Sequence, residues 1–137
     1  PTELNDEVGE LIRIQGQEFG ATTGRPRRCG WLDLPLLKYS CMINGITELN
    51  IMKLDVLTGL DEIKVCTNYI VNDSITDQVP YDLSEIQNFE CKTFGGWDDE
   101  DITDCNFLYD LPIECQDYIE FIEKYFNKNN LLREKYK

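Results

Sequence analysis

Glu62-Ile-Lys-Val-Cys-Thr-Asn-Tyr-Ile-Val71 is the run that decides the fold. It has no glycine or proline and is rich in β-branched and aromatic side chains, which fit a pleated, packed surface better than a helix. Asn72-Asp-Ser74 ends this strand. Downstream, residues 72–86 are polar and contain Pro80, which predicts an irregular excursion with at most an edge hairpin. Phe89-Glu-Cys-Lys-Thr-Phe94 then returns as a strand, stopped by Gly95-Gly-Trp97. Upstream, Glu48-Leu-Asn-Ile-Met-Lys-Leu-Asp-Val56 alternates apolar and polar side chains, which predicts another, largely buried strand, with Gly59 and Asp61 marking a turn or short helix after it.

Helical patterns interleave with these strands. Asp33 followed by Leu34-Pro35 reads as a capping carboxylate and a first-turn proline, and Leu34, Leu37, Lys38, Cys41 and Met42 keep helical spacing, so a helix is predicted over 33–43. Asn44-Gly45 stops it, because both residues tolerate the left-handed conformation. Residues 8–14 read as a short helical or extended lead. After Leu111-Pro112, the stripe Cys115, Tyr118, Ile119, Ile122, Tyr125 and Phe126 predicts an amphipathic helix whose aromatics are packing residues, and the polar end, 127–137, is expected to fray. No internal repeat is evident. The fold class is α/β, a mixed β-sheet with flanking helices, and 137 residues suit one folded unit.

Charge narrows the function. A formal net charge of −13 argues against nucleic-acid or anionic-membrane partners, and no stretch approaches the length of a membrane span, which predicts a soluble, cytoplasmic protein. The six cysteines sit mostly in apolar runs, where a free thiol behaves as a small hydrophobe, so reduced thiols are expected. No C-x-x-C pair and no histidine are present, which disfavours zinc and removes the usual base of a hydrolytic triad. The acidic run Asp98-Asp-Glu-Asp-Ile-Thr-Asp104 lacks the spacing of a calcium loop and reads as a solvated connector.

Against this acidic background, Gly20-Ala-Thr-Thr-Gly-Arg-Pro-Arg-Arg-Cys29 places three of the chain's five arginines, Arg25, Arg27 and Arg28, within four positions. Glycine backbone, adjacent hydroxyls and guanidinium forks suit carboxylate or phosphate oxygens. The alternative is a surface turn whose arginines pair with acidic neighbours. A second constellation, Met52-Lys-Leu-Asp-Val56, is expected at the exit of the predicted strand at 48–56. An aspartate there accepts two parallel hydrogen bonds from guanine N1–H and the 2-amino group, while a lysine stem lies along the base; the alternative is a solvent-facing pair.

Together, the segment from Gly16 through the arginine loop to Asp33 and the Lys53-Leu-Asp-Val56 run resemble one family, adenylosuccinate synthetase, in its C-terminal part. The likeness extends through Asn44-Gly-Ile-Thr-Glu-Leu49, residues 62–69, Gly96-Trp97, Leu111-Pro112 and the helix beyond, so it covers most of the chain. It implies a GTP-dependent carbon–nitrogen ligase with a P-loop-like fold, a homodimer, joining IMP and L-aspartate. The γ-phosphate of GTP activates the 6-oxygen of IMP, and the aspartate amine then displaces phosphate. Carried over by residue, Ala21, Thr22, Thr23, Gly24, Arg25, Pro26 and Arg27 would form the aspartate-binding loop, with Arg25 also on the IMP side and Arg27 on the GTP side. Lys53, Leu54 and Asp55 would contact the GTP base. Arg28 has no transferable role, and Met52 replaces a residue more often polar in the family.

The family's N-terminal phosphate loop, catalytic aspartate and histidine, and Mg2+ ligands have no counterpart here. Catalytic residues and metal ligands are therefore expected in the absent N-terminal half, and the chain alone is expected to be inactive. The competing readings are a stand-alone, non-catalytic nucleotide- or dicarboxylate-binding module and an unrelated acidic interaction module.

Overall fold

The structure is a computed structural model that describes residues 1–97 and 102–128. Its central strand is β2 (Glu62–Val71), the run from which the sequence reading began. Along one edge, β4 (Ile86–Gly95) pairs antiparallel over the full length, from Glu62↔Gly95 to Val71↔Ile86, with an irregularity between Cys66 and Asn68. The other edge is shared. The short β1 (Leu32–Asp33) pairs parallel with Val65 and Cys66, and β3 (Ser74–Thr76) pairs antiparallel with Tyr69, Ile70 and Val71. One parallel and two antiparallel partners make the sheet mixed, as expected from strands interleaved with helices. The two-residue turn between β2 and β3 has positive φ at Asn72 and Asp73, 50° and 58°, a geometry whose twist matches the flanking strands. The excursion after β2 is thus an edge hairpin followed by irregular chain.

The lead at 8–14 is helical: α1 spans Glu7–Gln15, capped by Asp6, whose Oδ1 accepts from the Gly9 N–H at 3.0 Å. Helix α2 (Leu34–Asn44) starts as its sequence signals say, with Asp33 Oδ1 accepting from the Leu36 N–H at 3.0 Å. It stops at Gly45, whose φ of 61° suits a residue without Cβ. Helix α3 (Ile113–Lys128) carries the predicted apolar stripe. Leu34 and Cys41 from α2, Ile63 and Val65 from β2, Phe94 from β4, and Cys115, Tyr118, Ile122 and Phe126 from α3 form one buried cluster with Leu60, Trp97 and Ile102. Trp97 is 1% exposed; its ring meets Tyr118 edge-on at 5.9 Å, and its Nε1–H donates to Thr58 Oγ1 at 3.1 Å. Satisfying that N–H lets the largest side chain enter the core without an orphan donor.

The strand predicted over 48–56 is absent. Residues 46–53 are irregular, and Leu54–Leu57 curl into a single 3-10 turn. Alternation makes a strand only where one face finds a core and at least one edge finds a partner. Here Ile51 is 41% and Met52 79% exposed, and Lys53 takes a left-handed backbone, φ 60°, that breaks an extended path. Within 48–56 only Val56 is buried. The beginning of the acidic run, residues 98–101, and most of the terminal tail, residues 129–137, lie outside the described residues.

All six cysteines are free thiols. Burial pushes the Cys66 thiol up to about 12, helped by the charges of Asp33 and Cys91 beside it, so a buried cysteine here behaves as a hydrophobe rather than a nucleophile.

Candidate functional site

The arginine loop is a hairpin-like excursion closed at its base by the antiparallel bridge between Phe19 and Pro26. Inside it, Gly20 N–H donates to Arg25 O at 2.8 Å, Gly24 N–H to Gly20 O at 2.8 Å, and Arg25 N–H to Thr23 Oγ1 at 3.3 Å. Gly24 makes the reversal with φ 63°. These bonds fix the tip without using the N–H groups of Ala21, Thr22 and Thr23, which have no acceptor among the described residues. Every residue from Ala21 to Arg27 is exposed. The tip is therefore a hydrogen-bonded, exposed turn with three successive N–H donors left over, a geometry that favours anions.

The three arginines have different fates. Arg28 pairs with Glu3, Nε donating to Oε2 at 2.7 Å, and holds that carboxyl below its usual range. It is the neighbour-paired arginine that a surface turn would have, and it ties the N-terminal segment down beside the Glu3–Gly30 bridge. Arg27 donates from Nη1 to Glu18 Oε2 at 3.0 Å, and its own carbonyl accepts from Arg13 Nε at 2.8 Å. Arg25 makes no ion pair or side-chain hydrogen bond among the described residues. A guanidinium that leaves five donors in water beside an open N–H array is the group available for a ligand.

Lys53 stands not at a strand end but just before the 3-10 turn, and its side chain turns back to the base of the arginine loop. Its Nζ donates to Gly16 O at 2.7 Å, at the C-terminal end of α1, and to Glu18 Oε1. An ammonium there also meets the negative end of the helix dipole. Leu54 is partly buried, and Asp55 is exposed, with no side-chain partner among the described residues. The Lys-x-Asp run and the arginine loop, distant in sequence, thus meet at one residue. Glu18 reaches Arg27, 9 positions on, with one oxygen and Lys53, 35 positions on, with the other. Lys53 first and Arg27 second hold the Glu18 carboxyl below its ordinary value.

Glu18 and Arg13 are the site residues that sequence reasoning missed. Glu18 lies in the quoted segment ahead of the loop, but nothing in the local pattern says which cations an isolated glutamate will meet. Its signal was its place beside a glycine break, where the chain leaves α1.

The family model for adenylosuccinate synthetase matches residues 1–130. The chain belongs to the adenylosuccinate synthetase family. Adenylosuccinate synthetase of Paramecium tetraurelia is 51% identical over 126 residues, covering 90% of this chain and 29% of that protein. The enzyme of that name from Cytophaga hutchinsonii is 54% identical over 125 residues, again covering 90% of this chain and 29% of the relative. The structure of fully ligated adenylosuccinate synthetase from Plasmodium falciparum superposes with a TM-score of 0.84 at 43% identity, covering 92% of this chain and 31% of that one. The chain thus spans less than a third of the length of these adenylosuccinate synthetases.

Among the described residues no group of three or more cysteine, aspartate or glutamate side chains is placed to hold a metal ion. Among the described residues no helix is long and apolar enough to cross a membrane.

Proposed function

We propose that this chain is the C-terminal portion of an adenylosuccinate synthetase, one folded unit that binds and orients reactants for the GTP-dependent ligation of IMP and L-aspartate. Arg25, with Ala21, Thr22, Thr23 and Gly24, grips the aspartate carboxylates, and Arg25 also faces IMP. Arg27 serves the GTP side, and Lys53, Leu54 and Asp55 read its guanine. The observation that carries this reading is the loop tip, where three N–H groups and Arg25, all without a partner among the described residues, stand together on a chain of net charge −13. A purely structural turn in so acidic a protein would have its arginines neutralised, as Arg28 is.

The chemistry assigned to this segment is positioning. A dicarboxylate and phosphates brought to one array of forks lose their mutual repulsion and gain a fixed approach, which converts an encounter of three solutes into one arrangement. Asp55 offers guanine a pair of acceptors that adenine cannot use, so the base is chosen by what would be left unpaired. Magnesium, the proton-transfer groups and the phosphate loop belong to the remainder of the enzyme, which we propose is a cytoplasmic homodimer acting in purine biosynthesis.

Titration calorimetry of L-aspartate, IMP and GTP, singly and together, against the protein and its Arg25→Ala variant tests this. The expected result is loss of aspartate and IMP binding in the variant with the fold unchanged by circular dichroism. Unchanged binding would sink the loop assignment.

A further inference from the structure

Glu18 is fixed before any ligand arrives. Its N–H donates to Arg13 O at 2.9 Å and its C=O accepts from the Arg27 N–H at 2.9 Å, so both backbone groups are held. Its side chain is 22% exposed, against 59% for Arg27 and 52% for Lys53. The carboxylate is thus the anchored member of the trio, and the two cations reach in to it while keeping donors on their solvent sides. A guanidinium that gives one N–H to Glu18 retains four, and an ammonium that gives two retains one. Lys53 is further constrained, because its left-handed backbone is held by a side chain tied at both Gly16 O and Glu18.

From this geometry, and resting on the reading of Arg27 and Lys53 given above, we infer that Glu18 is a positioning residue that couples the anion-binding loop to the base-reading Lys-x-Asp run. One carboxylate sets the distance between the cation that meets the anionic part of the nucleotide and the lysine that lies along its base. It touches no reactant. Arg13 backs the same joint from the other side by holding the Arg27 carbonyl. A ligand bound at one cation then finds the other already placed, so the two halves are recognised as one length.

The test is steady-state kinetics of the whole family polypeptide carrying this segment, with Glu18→Gln, Glu18→Asp, Arg27→Ala, Lys53→Ala, and the two alanine variants combined with and without Glu18→Gln. Glutamine keeps the length and one acceptor and loses the charge. The expected result is a KM for GTP raised ~10-fold in Glu18→Gln, with kcat at saturation changed by less than ~3-fold, and a smaller rise in Glu18→Asp, which keeps the charge. Arg27→Ala and Lys53→Ala should combine non-additively with Glu18 present and additively in Glu18→Gln. A residue that merely stabilised the fold would lower the melting temperature and leave that non-additivity in place; this outcome overturns the inference. A fall in the KM for GTP would overturn it too, since Glu18 would then be competing with the nucleotide for both cations. If Arg27→Ala and Lys53→Ala themselves leave every KM unchanged, the site assignment beneath it fails instead.

Discussion

The two ends of this molecule are held by different forces. Around β2 and α3, Ile63, Val65, Cys115 and Phe126 are fully buried, and the only polar atom Trp97 brings with it is satisfied by Thr58. Around the arginine loop nothing comparable is buried, and the ties are Arg27 and Lys53 on Glu18, Arg28 on Glu3, and backbone hydrogen bonds. Burial of apolar surface does not depend on which ions are paired, whereas half-exposed ion pairs contribute little to stability and exchange partners readily. A site built of the second kind on a scaffold of the first can keep its backbone while its charges change partners. Substitutions in one region should therefore move stability, and in the other binding.

The strongest attack on this contrast is Trp97→Ala, which removes an indole from the cluster and strands the Thr58 hydroxyl. It is expected to cost about 3–5 kcal/mol, read from the shift of the urea midpoint at constant slope. Asp33→Ala probes the seam between the regions: Asp33 caps α2 and accepts the hydroxyl of Tyr69 at 2.5 Å, and Tyr69 is fully buried. Losing both should cost about 2–3 kcal/mol by the same measurement. Gly45→Ala has open space for its Cβ and suffers only from the left-handed backbone, so about 1 kcal/mol is expected from thermal unfolding. Arg25→Ala should move stability by less than about 0.5 kcal/mol while abolishing binding at the loop, the smallest change on one axis and the largest on the other. A large destabilisation there would erase the contrast.

Acid sharpens the same comparison. Lys53 and Arg27 hold the folded-state pKa of Glu18 below the ordinary glutamate value, so its ties are intact above the unfolded value and are lost only as pH falls through the lower, folded one. A carbon-detected NMR titration of the Glu18 carboxyl is expected to give a midpoint below that of an unpaired glutamate, with the loop shifts unchanged around neutral pH.

What the sequence made legible follows from the range of the forces involved. The ends of α2 were readable because Asp33, Pro35 and Gly45 act on their nearest neighbours, and β2 because its composition admits little else. Residues 48–56 were misread because alternation is a local pattern, while the decision rested on distant groups: among the described residues no strand pairs with them, and Lys53 is drawn away to Gly16 O and Glu18. The loop and the Lys-x-Asp run were singled out by their chemistry and their residue roles carried over from the family resemblance, yet their meeting depended on Glu18, a contact spanning 35 positions that no local pattern encodes. Arg28 already stood apart in the sequence as the arginine with no transferable role, whereas the contrast between a paired Arg27 and an open Arg25 rested on where Glu18 lies.

β2 carries β4 along one edge and, on the other, β1 at Val65 and Cys66 and β3 at Tyr69, Ile70 and Val71, so it is paired on both sides at those residues while the loop tip stands open to water. In deuterated solvent this becomes a clock with two hands. The N–H groups of β2 that bond to its neighbouring strands should exchange only when the whole unit opens, and those of Ala21, Thr22 and Thr23 almost at once. Any anion that settles on the tip would then be visible as the slowing of three specific protons, against a sheet whose own slow rate certifies that nothing else has moved.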